Sequence, residues 1–83
     1  MEEMELQLPI ETFQKYLMEK KIDYKSDQKL AEALGMSARR LGCILSGKDT
    51  SGRAMNTVHV DTVDRSAINL GEHLKDVYPE LYQ

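Results

Sequence analysis

Two adjacent arginines, Arg39 and Arg40, stand among small residues in the run Ser37-Ala-Arg-Arg-Leu-Gly-Cys-Ile-Leu-Ser46. A guanidinium is a planar fork of N–H donors. It can grip phosphate oxygens, or the O6 and N7 edge of a guanine, two bonds at a time. The chemistry on offer is therefore recognition of an anionic or base-edge acceptor rather than bond making. Lys48 and Arg53 follow closely and extend the same capacity. The rest of the chain supplies no catalytic set. His59 and His73 are far apart in sequence, and no nucleophile, base and orienting acid fall at a recognisable spacing. A Gly-rich phosphate loop is also missing. The single cysteine, Cys43, excludes an internal disulfide and any zinc site built on several thiolates. No enzyme activity, cofactor or metal is expected. Cys43 reads as a small contact residue rather than a redox switch, since its outward helical phase suits close approach.

The net charge of −3 over 83 residues runs against a polyanionic partner until its distribution is considered. Residues 1–35 carry five lysines against eight acids, a net of −3. Residues 36–60 hold Arg39, Arg40, Lys48 and Arg53 against Asp49 alone, a net of +3. Residues 61–83 set Arg65 and Lys75 against five acids, again −3. The local field decides what a surface attracts, and the middle of the chain is basic. An apolar share of 41% and a charged share of 30% fit one small globular domain. No apolar run is long enough to span a membrane. The first ten residues hold three glutamates and no basic group, unlike a secretory leader, so a cytoplasmic location is expected.

Those cations need elements to present them. Met4, Leu6 and Leu8 alternate with polar residues, the period of a short strand or extended arm. Pro9 suits a first helical turn, and Ile10, Phe13 and Leu17 recur at helical spacing, predicting a helix over 9–21 with a solvated charged face. Residues 22–25 read as a connection. Ser26 can cap a second helix, whose Leu30, Ala31, Ala33 and Leu34 face inward and which stops at Gly35. Ser37 caps a third, over 38–46, ended by Gly47. Residues 47–57 lack periodicity and read as a flexible loop. Val58 to Val60 is β-like, Asp61 reads as the cap of a fourth helix bearing Val63, Ala67 and Leu70, and Leu74, Val77 and Tyr78 suggest a short fifth helix before Pro79.

Between Asp27 and Ser46 the spacing has a specific meaning. Two short helices that cross steeply through a tight turn need a small residue at the crossing, a glycine in the turn and apolar anchors at fixed offsets. Ala31 is the small residue and Gly35 the turn, with Leu30, Leu34, Met36, Leu41 and Ile44 as anchors. The run from Gln28 to Gly47 resembles the helix-turn-helix of the phage lambda repressor, Cro and XRE-type regulators. The segment from Val58 to Gly71 is similar to that family's fourth helix. The resemblance covers roughly residues 9–78 and implies an all-α domain of four to five helices, here with room for a short two-stranded β element. It also implies binding to operator-like double-stranded DNA, commonly as a homodimer. Two departures stand out: Asp27 occupies the position where the family often has Gln, and the loop after the third helix is longer than usual.

Helical phase orients the third helix independently of any family. With Leu41 inward and about 100° per residue, Arg39, Cys43 and Ser46 point outward, and Gly42 and Arg40 sit on the shoulders. Arg39 is expected at a base edge in the major groove and Arg40 at a phosphate, with the small Gly42 and Cys43 allowing close approach. The expected DNA-binding set is Gln28, Ser37, Ala38, Arg39, Arg40, Gly42, Cys43, Ser46, Lys48 and Arg53. Residues 1–8 read as an N-terminal arm or short strand and 9–83 as the helix-turn-helix domain of a repressor-like regulator. Pairing of the N-terminal strand with residues 57–60, within one chain or between two, would give the isolated strands a partner. The acidic flanks support a different class, a protein-interaction module on the same fold such as an antirepressor, inhibitor or adaptor.

Overall fold

The computed structural model describes residues 7–82, and Met4 and Leu6 of the alternating segment lie outside them. The elements are β1 (Gln7–Pro9), α1 (Ile10–Tyr24), α2 (Asp27–Leu34), α3 (Ala38–Ser46), β2 (Thr57–His59), α4 (Val60–Asn69) and α5 (Leu74–Val77), followed by a 3-10 turn over Pro79–Tyr82. The domain is thus mostly helical with one two-stranded antiparallel sheet. In that sheet Gln7 faces His59, Leu8 faces Val58 and Pro9 faces Thr57. The pairing is within one chain. Leu8 and Val58 are both buried, so the inward positions of the two strands lie against the helices as a period of two requires.

One core joins all the elements. Phe13 and Leu17 of α1, Leu30, Ala31 and Leu34 of α2, Leu41 and Ile44 of α3, Val63 and Ala67 of α4, and Val77 and Tyr78 are buried together. Burying a Leu, Val or Phe side chain stabilises the fold by roughly 1.5–3 kcal/mol, and this cluster welds α2 and α3 to the rest. Tyr78 is wholly enclosed, and its hydroxyl donates to the Pro9 carbonyl, tying the C-terminal end to β1. Ser66 is also buried, and its hydroxyl is satisfied by the Thr62 carbonyl at 2.7 Å. On the outer side, the Tyr16 hydroxyl and the Lys20 ammonium both donate to Glu72, clamping α1 to the turn after α4.

Three boundaries differ from the sequence reading. The first helix does not stop at Lys21 but runs to Tyr24, which packs against the core, and ends at Lys25 in a left-handed conformation. The apolar ring of Tyr24 repays the extra turn. The fourth helix is capped by His59, not Asp61: the His59 Nδ1 accepts from the Asp61 amide at 3.1 Å. Asp61 sits instead in the first turn, where its negative charge opposes the positive helix end. Residues 47–57 are not a loose loop. The Met55 amide donates to the Gly47 carbonyl at 2.7 Å, and Lys48 pairs with Ala54 in an isolated antiparallel bridge. No helix among the described residues is long and apolar enough to cross a membrane.

Candidate nucleic-acid interface

The α2–turn–α3 unit is fixed by capping at every end. The Ser26 hydroxyl accepts from the Lys29 amide and the Ser37 hydroxyl from the Arg40 amide, both at 3.1 Å. Each supplies one of the acceptors that a helix N-terminus lacks. Gly35 closes α2 with φ at 83°, a left-handed backbone that side chains rarely adopt. A Cβ there would also lie 2.6 Å from the Asn69 amide nitrogen. That nitrogen is committed, donating to the Leu34 carbonyl at 2.8 Å, so α4 caps the C-terminal end of α2. A second side-chain amide serves α3, where Gln14 Nε2 donates to the Ile44 carbonyl at 2.9 Å. Sequence reasoning missed both amides. Gln14 stands four residues after Ile10 and three before Leu17, beside the apolar stripe of α1, and nothing in its own neighbourhood signals a partner thirty positions away.

With Leu41 and Ile44 buried beneath it, α3 presents Ser37, Ala38, Arg39, Arg40 and Ser46 to solvent. The Ser46 hydroxyl turns back to donate to the Cys43 carbonyl at 3.1 Å. Gly42 is half-buried, yet an added Cβ would meet nothing within 4 Å. The ion pairs among the described residues are Lys20–Glu72 and Lys21–Asp27, so Arg39, Arg40, Lys48 and Arg53 are not neutralised by a carboxylate. Cys43 is a correction to the helical phase. It is half-buried rather than fully outward, because the segment after α3 folds back beside it. The result is an open groove. Arg39, Arg40 and Cys43 form one wall, and Asp49, Met55 and His59 stand on the other. Lys48 and Arg53 are exposed on the hairpin, outside the groove lining, and Gln28 is exposed in the first turn of α2, also outside it.

Residues 47–55 reach this position through Asp49. One oxygen of its carboxylate accepts from the Ser51 amide at 2.9 Å, the Ser51 hydroxyl at 2.7 Å and the Arg53 amide at 2.9 Å. The bond from the Ser51 hydroxyl, then that from the Arg53 amide, holds the carboxyl below its usual range. An Asp two residues before a Ser and three before a Gly is a turn signal that sequence reading could have used, since Asx side chains bond their own backbone two residues on. The site is a braced helix bearing two guanidiniums without a carboxylate partner among the described residues, beside a groove that the closed turn also lines. Such a surface can bind an extended polyanion and present planar donors to it. No protein-family model, curated protein or solved structure matches this chain.

Proposed function

We propose that this chain is a sequence-specific, repressor-like regulator that binds double-stranded DNA with α3 in the major groove. The observation that carries the reading is the pair Arg39 and Arg40. They are exposed and make no ion pair among the described residues, on a helix braced at both ends by Ser37 and Gln14. Side chains that read bases must be held by a rigid mount, since loose donors lose the entropy that orientation would have saved. Arg39 pairs with a guanine edge and Arg40 with phosphate, while Gly42 lets the helix backbone approach the groove. Two copies around a two-fold axis would read half-sites about 34–36 Å apart. β1 and β2 are already paired with each other within the chain, and Leu81 at the C-terminal end is exposed, which favours the C-terminal end for such an assembly. The test is an electrophoretic shift of a random duplex pool over a salt series. Enrichment of one sequence, with affinity falling steeply as salt rises, is the expected result. The second reading, a protein-interaction module, draws on Met18 and Ile22 of α1, which are 60% and 76% exposed. It predicts no duplex binding even at low salt.

A further inference from the structure

Within residues 36–60 four cations are accompanied by one carboxylate, Asp49. On a surface that meets a polyanion, a lone acid is unfavourable unless it does something a neutral residue could not do as well. Its contacts show what that is. The Asp49 carboxylate oxygen collects three donors from Ser51 and Arg53. Its own amide donates to the Arg53 carbonyl at 2.9 Å, and its carbonyl accepts from the Gly52 amide at 3.0 Å. The stretch from Asp49 to Arg53 is thereby closed around one side chain, with Lys48 and Ala54 paired just outside it. Arg53 leaves this turn exposed, with no ion pair among the described residues, on the same hairpin whose Asp49 and Met55 line the groove together with Arg39 and Arg40.

We infer that Asp49 is a positioning residue for DNA binding: it latches the hairpin so that Arg53 meets the phosphodiester backbone beside the stretch that α3 reads. The inference rests on the DNA-binding reading and deepens it, making the hairpin a second contact element. An unlatched turn would still carry Arg53, but as a tethered charge whose ordering must be repaid on binding.

The sign of one substitution separates this from the ordinary electrostatic expectation. Affinities for the duplex enriched by selection would be measured for the whole chain and for Asp49→Ala, Asp49→Asn, Arg53→Ala and the Asp49→Ala/Arg53→Ala double variant, each over a salt series. Asp49→Ala should weaken binding about as much as Arg53→Ala, roughly five-fold, and should lower the salt slope by about 1. Asp49→Asn keeps an acceptor oxygen and loses the charge, so it should bind as tightly as the parent or more tightly. In the Arg53→Ala background, Asp49→Ala should cause no further loss. Amide exchange at Ser51 and Arg53 in the free protein should quicken in Asp49→Ala and stay slow in Asp49→Asn. Tighter binding by Asp49→Ala, or losses that multiply in the double variant, would overturn the inference while leaving the DNA-binding reading intact. A parent chain that binds no duplex at low salt would overturn both.

Discussion

Arg39 and Arg40 are neighbours in sequence with different tasks in this account. A base-edge contact carries sequence information, and a phosphate contact does not. Arg39→Ala should therefore cost about 1–3 kcal/mol of specific binding and relax the preference at one base pair. Arg40→Ala should weaken all sequences alike and lower the salt slope by about 1. A competition assay against a pool of single-base variants reads both effects. An unchanged preferred site after Arg39→Ala would place the reading head elsewhere. The outward placement of these two residues was legible from type and spacing alone, because an amphipathic helix fixes which positions face out. Cys43 was not: its half-burial is set by the returning segment, whose path depends on hydrogen bonds to Asp49 and Gly47 rather than on helical phase.

At the scale of elements, the α2–α3 unit tests the packing argument directly. Ala31 is buried where α2 joins the common core, so Ala31→Leu should overpack it and cost about 1–3 kcal/mol in thermal or denaturant unfolding. Gly42→Ala is the informative contrast. An added Cβ meets no atom within 4 Å, and glycine inside a helix is about 0.5–1 kcal/mol worse than alanine, so this variant should melt higher. If α3 lies deep in the groove, the same methyl should weaken DNA binding. A variant both more stable and weaker in binding marks a glycine kept for contact with a partner. The two helices of this unit were readable from their caps and their apolar offsets, since Ser26, Gly35, Ser37 and Gly47 all act locally. The braces from Gln14 and Asn69 were not, because they join residues distant in sequence and follow only from the assembled fold. The same holds for His59, whose ring nitrogen does the capping that Asp61 seemed suited to do.

For the whole molecule, closure depends on Tyr78, which lies in the common core and hydrogen-bonds back to Pro9. Burial pushes its phenol up to about 12 from 10. The folded state then favours the neutral form. This contribution to stability is complete below pH 10 and is lost as pH rises from 10 towards 12. Tyr78→Phe should lower stability near neutrality by about 0.5–1.5 kcal/mol through the lost hydrogen bond, and should flatten the alkaline decline in a melting series. The residual slope belongs to Tyr16, whose phenol is raised by burial and then by its bond to Glu72.

Whether α3 enters a major groove, as proposed, is read at the contact itself by methylation interference. Methylation interference on the selected duplex places a methyl group on guanine N7, which faces the major groove, or on adenine N3, which faces the minor groove. N7 methylation at one guanine should abolish binding by the parent chain and have no effect on the residual binding of Arg39→Ala. Interference confined to adenine N3, or a guanine signal that persists unchanged in Arg39→Ala, would contradict that placement of α3.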